Sequence, residues 1–196
     1  GYRRDLDLYS GIASTTCTVD GVTYSREVFA SAPHNVVVVH VKADRPAALF
    51  CDITLTRPLA AACVSEGPDQ LVLDGQIGIR HHETNEIVGL KFAGRLLAHI
   101  DGGQLRNSDG TMRVEKANAF TLILAGATNY RGEDPLEATA TTLAGLPAYP
   151  ELREAHIADH SSLFGRVDLD LGENPVPDLP TDARLERVRK GEYDPA

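Results

Sequence analysis

Apolar and polar residues alternate with a period of two through most of the chain up to Leu124, and with a helical period after it. The sharpest local signal is Asp20-Gly21, a pair favoured in two-residue hairpin turns. Folding about it sets Val19 opposite Val22, Cys17 opposite Tyr24 and Thr15 opposite Arg26, and gathers Thr16, Thr18, Thr23, Ser25 and Glu27 on the other face. One mainly apolar face and one polar face is the pattern of a sheet packed on one side. The β-branched run Val36 to Val41 predicts a central, buried strand. Leu49, Cys51, Ile53 and Leu55 alternate with Phe50, Asp52, Thr54 and Thr56 in a strand that stops at Pro58. Leu71 to Leu73 reads as a short strand ended by Asp74-Gly75. The longest alternation, Val88, Leu90, Phe92, Gly94, Leu96, Ala98 and Ile100, predicts a long strand in which Gly94 marks a bulge or a close-packing point. Turn signals at Gly102-Gly103 and Asp109-Gly110 precede a further strand marked by Phe120, Leu122 and Leu124. Strands separated by turns predict a mainly β fold, an antiparallel β-sandwich.

The pattern changes near Asp134-Pro135. Glu137 to Leu146 is alanine- and threonine-rich and reads as a helix, and Pro147 to Pro150 separates it from a second helix beginning near Glu151. Along that helix Tyr149, Leu152, His156, Asp159 and Leu163 fall near one stripe, so a His and an Asp occupy positions that predict burial. After Gly165 the period returns to two, with Val167, Leu169 and Leu171 opposite Asp168 and Asp170, predicting a short strand. Pro175, Pro177 and Pro180 describe an extended tail, and Thr181 or Asp182 is placed to cap a short basic helix to Lys190.

Composition narrows the classes. The 196 residues suffice to bury a sizeable core without disulfide or metal staples, and a hydrophobic fraction of 42% is that of a globular protein. A formal net charge of −9 argues against a nucleic-acid backbone or an anionic membrane as the main partner; a neutral sugar is indifferent to it. No apolar run approaches the roughly 20 residues that span a bilayer, and no basic-then-apolar leader is visible. Cys17, Cys51 and Cys63 are odd in number and lack CxxC spacing, which supports neither a zinc site nor a disulfide framework and leaves the compartment open. Cys17 and Cys51 sit at apolar strand positions, where a thiol packs as a small hydrophobe.

The chemistry candidates each have a plainer reading. His156, Asp159 and His160 have the i, i+3, i+4 spacing that puts metal ligands on one helix face. The reading favoured by burial is a structural linker pair, His156 with Asp159 and Arg166 as a further partner, because a buried charge persists only when paired. His81-His82-Glu83 beside Thr84-Asn85 reads as a solvated loop. Asn129-Tyr130-Arg131-Gly132 follows the last strand, and Tyr130 and Arg131 have the stacking and donor chemistry that suits the rim of a sugar site. Glycoside hydrolysis usually needs two carboxyls across the scissile bond, about 5–5.5 Å apart for retention or about 6.5–9.5 Å for inversion; acidic residues are plentiful, but sequence alone does not pair them across such a gap. No P-loop, nucleophile elbow, HExxH or dinucleotide fingerprint occurs, and no cofactor is called for.

Four ordered stretches carry a family resemblance. These are Tyr2 to Ser31, Leu122 to Gly132 (with Ala-Gly-Ala-Thr-Asn-Tyr-Arg-Gly), Ala155 to Gly172, and Pro180-Thr181-Asp182-Ala183-Arg184-Leu185. Together they resemble the N-terminal β-domain and linker of the α-L-fucosidases of glycoside hydrolase family 95. The resemblance implies a supersandwich-like β-domain over 1–132 and a helical and extended linker over 133–196. That linker would lead to an (α/α)6 barrel, absent here, that holds the general acid and the water-activating residues. It implies a parent that hydrolyses terminal α-L-fucosyl linkages of glycans by inversion without a metal, and a chain that is itself non-catalytic. A parent acting on α-L-galactosides is a narrower alternative. A free-standing carbohydrate-binding sandwich is the rival from another class, disfavoured by the lack of Trp and an aromatic content of only 6%, and a purely structural module is a third.

Overall fold

The computed structural model describes residues 1–169 and 179–192. Eleven strands come first: β1 (Tyr2–Asp7), β2 (Ile12–Val19), β3 (Val22–Ser31), β4 (Val36–Ala43), β5 (Leu49–Thr54), β6 (Ala61–Glu66), β7 (Gln70–Arg80), β8 (Ile87–Asp101), β9 (Gln104–Ser108), β10 (Thr111–Ala117) and β11 (Ala119–Thr128). A 3-10 turn (Asn129–Arg131) and the helices α1 (Pro135–Leu143), α2 (Tyr149–Phe164) and α3 (Thr181–Arg189) follow. The strands form an antiparallel sheet of eight in the order β1-β2-β3-β4-β11-β8-β7-β6 and a second sheet of three, β5-β10-β9. This is the mainly β sandwich that the alternation predicts.

The Asp20-Gly21 hairpin has the predicted register, Val19 to Val22, Cys17 to Tyr24 and Thr15 to Arg26. The larger sheet is nevertheless covered on both faces, and this explains why its central strands are apolar on both sides. On β11, Phe120, Leu122 and Leu124 pack toward Leu49, Ile53, Met112 and Val114 of the small sheet. Ile123 and Ala125, one position out of phase, pack with Ile12, Phe29, Val36, Val38, Leu143 and Leu152 under the helices. Helix α1 lies on β8 and β11, and α2 lies on β3. Asp134 caps α1, its carboxylate accepting from the backbone N–H of Leu136 (2.9 Å) and Glu137 (3.1 Å). The face of the hairpin expected to be solvent-exposed is therefore partly roofed by α2.

Several local expectations are corrected. Asp74-Gly75 ends no strand: β7 runs through it, and Gly75 is required because a Cβ there would lie 1.9 Å from the Ala60 carbonyl oxygen. Gly94 is neither bulge nor close contact, since it pairs regularly with Gly126 and a Cβ would meet nothing nearer than 3.8 Å. The bulge lies instead in β10, where the register shifts between Glu115 and Ala117 around Lys116 at φ 58°. Val36 and Val38 are buried but Val37 is 38% exposed, so the β-branched run alternates.

Two compact units divide the chain, Gly1–Phe164 and Gly165–Ala196. In the second, Val167 and Leu169 are exposed and form no strand. Asp170, Leu171, Pro175 and Pro177 lie outside the described residues. The basic helix is present as α3, with Pro180 rather than Thr181 or Asp182 at its N-cap and no side-chain capping bond. All three cysteines are free and half-buried, and burial pushes the Cys51 and Cys63 thiols up, away from the reactive thiolate.

Candidate functional site

A connected cluster of polar side chains in the first unit lies at the seam where α2 meets the sheet. Strand pairing alone builds its floor. Ser14 faces Glu27, Glu27 faces His40, and His40 faces Thr121, giving one polar row across β2, β3, β4 and β11. Beside it runs the apolar pairing of Phe29 with Val38 and Val38 with Ile123. Helix α2 lays Leu152 and His156, both buried, on the apolar row and hangs Tyr149 and Arg153, one turn apart, over the polar one.

Over that row, Arg153 Nε donates to Glu27 Oε2 at 2.9 Å, and the Tyr149 hydroxyl donates to the same oxygen. The His40 ring stacks on Tyr149 with centroids 3.8 Å apart and planes 12° from parallel, and its Nδ1 lies 2.9 Å from Thr121 Oγ1. Burial would push the Glu27 carboxyl up, but the hydrogen bonds from Arg153 and Tyr149 outweigh it and hold Glu27 below its ordinary value. Burial, then the bond to Glu27, push the Tyr149 phenol up. Burial pushes His40 down; Glu27 opposes this and Lys42 adds to it.

Two histidines of α2 grip the turn between β1 and β2. His156 Nε2 donates to the Gly11 carbonyl at 3.3 Å and His160 Nε2 donates to that of Leu8 at 2.9 Å. Asp7 shapes the same turn, accepting from Tyr9 N at 2.9 Å and Ser10 Oγ at 2.7 Å. His156 also stacks on Phe29, 4.7 Å between centroids. Gly11 sits at φ 66°, and a Cβ there would come within 2.9 Å of the His160 ring. The i, i+4 histidine spacing thus serves two backbone carbonyls. The hydrogen bond of His156 goes to Gly11 rather than to Asp159, whose own backbone carbonyl accepts from Ser162 Oγ at 2.7 Å. Arg166 belongs to the second unit.

The other candidates stand apart from the seam. Tyr130 and Arg131 lie together in the 3-10 turn after β11, where Tyr130 is 84% exposed; Asn129 Oδ1 anchors the turn by accepting from Lys91 N at 2.9 Å. His81, His82 and Glu83 occupy the exposed loop between β7 and β8. Glu27 was read from the sequence only as part of the hairpin's polar face, and His40, Thr121 and Arg153 were not singled out. Their signal was His40 interrupting a β-branched run and the i, i+4 spacing of Tyr149 and Arg153.

Chemically, the seam is an ion pair and a stacked His–Tyr pair that tie α2 to the sheet. Among the described residues the carboxyls whose ionisation is shifted, Asp5, Asp7, Glu27 and Asp52, are all shifted down, by an arginine or by neighbouring hydroxyl and backbone donors. A general acid needs the opposite shift.

Comparison with known proteins places this arrangement. The family model for the glycosyl hydrolase family 65 N-terminal domain matches residues 1–133. The chain belongs to that family. A second family model, the glycosyl hydrolase family 95 catalytic domain, matches residues 148–196, so this family 65-type N-terminal domain leads into family 95 sequence at α2. The relatives are fucosidases. Alpha-L-fucosidase 2 of Arabidopsis thaliana is 29% identical over 226 residues, covering 100% of this chain and 27% of that protein. The probable alpha-fucosidase A of Aspergillus niger is 29% identical over 205 residues, covering 92% of this chain and 25% of that protein. The chain thus spans about a quarter of the length of the curated relatives it matches. A solved structure assigned as a kojibiose phosphorylase from human microbiome shares the fold, with a TM-score of 0.52 at 11% identity over 82% of this chain and 25% of that one. The family 65-type domain with family 95 sequence behind it fits the glycoside hydrolase resemblance read from the motifs.

Proposed function

We propose that this chain is the non-catalytic N-terminal sandwich and linker of an α-L-fucosidase-like glycoside hydrolase. Its parent cleaves terminal α-L-fucosyl linkages of glycans by inversion, in an (α/α)6 barrel that follows the linker. The observation that carries this reading is the order of the two family matches along one chain, with α2, the first helix of the family 95 match, clamped onto the sandwich. The names of the two fucosidase relatives supply the substrate.

On this reading the sandwich is a rigid base. Glu27 fixes the N-terminal end of α2 through Tyr149 and Arg153, and the β1–β2 turn fixes its later turns through His156 and His160. The chain leaving α2 therefore sets out from a defined place, as a barrel docked on one side requires. Asp159 and Arg166 lie at and beyond that exit and belong to the linker's contact with the barrel. Tyr130 and Arg131, exposed after β11, serve the rim of the sugar site. The carboxylates of the seam are ionised and hydrogen-bonded, which suits positioning and not proton donation.

The test is the parent protein. Its reading frame should continue after Ala196 into a helical barrel, and the purified parent should release fucose from fucosylated oligosaccharides with inverted anomeric configuration, read by proton NMR. Release with retention, or a frame that encodes no barrel, would overturn the proposal. Preferential release of galactose from α-L-galactosides would move the parent to the narrower alternative.

A further inference from the structure

A cavity of about 610 Å³ opens on the larger sheet beside the chain leaving β5 at Leu55, Thr56 and Arg57. Its floor includes Gly94 and Gly126, which face each other in register on the neighbouring strands β8 and β11. Neither glycine is explained by its backbone. Neither has a positive φ; a Cβ on Gly94 would meet Leu55 Cδ2 at 3.8 Å, and one on Gly126 would meet nothing within 4 Å. Glycine weakens a strand interior, so two glycines side by side where any small side chain would fit leave the space open. Leu73, Phe92 and Leu124 give the cavity apolar walls.

The polar group that decides the ligand is Arg57. Its guanidinium lies over the Phe92 ring, 4.7 Å from the centroid, and donates from Nη1 to the Leu59 carbonyl. Among the described residues no carboxylate pairs with it. A half-buried guanidinium without an anion, at the edge of an apolar cavity of ligand size, has a carboxylate as its electrostatic and geometric complement. We propose that this cavity binds a small organic acid, its apolar body on the glycine floor and its carboxylate on Arg57. The net charge of −9 repels anions from the molecule as a whole, so the preference for an acid over its neutral analogue must come from Arg57 itself. The proposal is independent of the role assigned to α2.

Calorimetric titration of the full chain with 2-naphthaleneacetate and with uncharged 2-naphthaleneacetamide tests it. Saturable one-to-one binding is expected, with the acid about tenfold tighter than the amide. Arg57→Gln should bring the two affinities together, while Arg57→Lys keeps a preference for the acid. Gly94→Val and Gly126→Val should each abolish binding of both probes without a large fall in the thermal midpoint, because a Cβ at Gly94 makes only ordinary contacts, none nearer than 3.8 Å, and one at Gly126 meets nothing within 4 Å. No saturable binding, an unchanged acid-to-amide ratio in Arg57→Gln, or full affinity in both valine variants would overturn the proposal. So would loss of binding in the barrel-containing parent, which would make the cavity a contact between domains.

Discussion

Replacing Glu27 by Gln is the most informative perturbation of the seam, because it keeps the shape and removes the charge that Tyr149 and Arg153 share. The Arg153 and Glu27 side chains are 39% and 30% exposed, so solvent screens their attraction and the ion pair contributes about 0.5–1 kcal/mol. The Tyr149 hydroxyl keeps an acceptor in Gln but loses the assistance of charge, a further ~0.5–1 kcal/mol. The expected cost is about 1–2 kcal/mol, read from urea unfolding at neutral pH. The cost also has a defined pH dependence. Glu27 is held below its ordinary value, so its stabilisation is fully present above pH ~4.3 and is lost as pH falls through its lowered folded value. Wild type and Glu27→Gln should therefore converge in stability below that value. A double-mutant cycle with Arg153→Met isolates the pair, and the double variant should cost less than the sum of the singles. Strict additivity, or a Glu27→Gln deficit that persists unchanged into strong acid, would refute the assignment of Glu27 as the charged anchor of α2.

Other consequences can be measured on the same chain. His156→Ala leaves the Gly11 carbonyl without its partner and strips a ring from Phe29; it should cost about 1–3 kcal/mol in denaturant unfolding, whereas His156→Asn, which keeps a donor, should cost less. Because burial holds His40 down, its stabilisation is present above pH ~6.5 and lost as pH falls below that toward its folded value, so His40→Gln should flatten the thermal midpoint against pH in that window. Gly75→Ala forces a methyl to 1.9 Å from the Ala60 oxygen and should destabilise the β6–β7 edge, while Gly94→Ala should be neutral or stabilising by about 0.4–1 kcal/mol. Equal thermal midpoints for the two glycine variants would contradict the geometry.

The parts of the fold legible in the sequence were those decided by short-range chemistry. Asp20-Gly21 imposes a turn whose length sets the pairing of Val19 with Val22, and the rest of the hairpin follows by alternation. Asp74-Gly75 misleads for the same reason it attracts notice: glycine marks a turn and a close backbone approach alike, and only the position of Ala60 distinguishes them. Strand β6 runs Ala61, Ala62, Cys63 and Val64 into Ser65 and Glu66 without alternation, and β9 carries one apolar residue, Leu105, in five positions, so neither separates from a loop. The helix period placed Leu152 and His156 inward correctly. Leu163, at the end of the same stripe, is 56% exposed. The seam was hidden because Glu27 and His40 become neighbours only when β3 and β4 pair, and because the partners of His156 and His160 are backbone carbonyls that no side-chain pattern announces.

In the proposed role this chain positions a catalytic domain and performs no hydrolysis itself. That role is tested most directly by measuring p-nitrophenol release from p-nitrophenyl α-L-fucoside by the purified chain and, in parallel, by the barrel-containing parent and its Glu27→Gln variant. The purified chain should give no turnover above buffer. The parent should turn over, and its variant should match the parent's kcat/KM at low temperature while losing activity at a lower temperature. Turnover by the isolated chain that disappears on mutating one of its own carboxylates, or a large fall in kcat in a Glu27→Gln parent of unchanged thermal stability, would contradict that role.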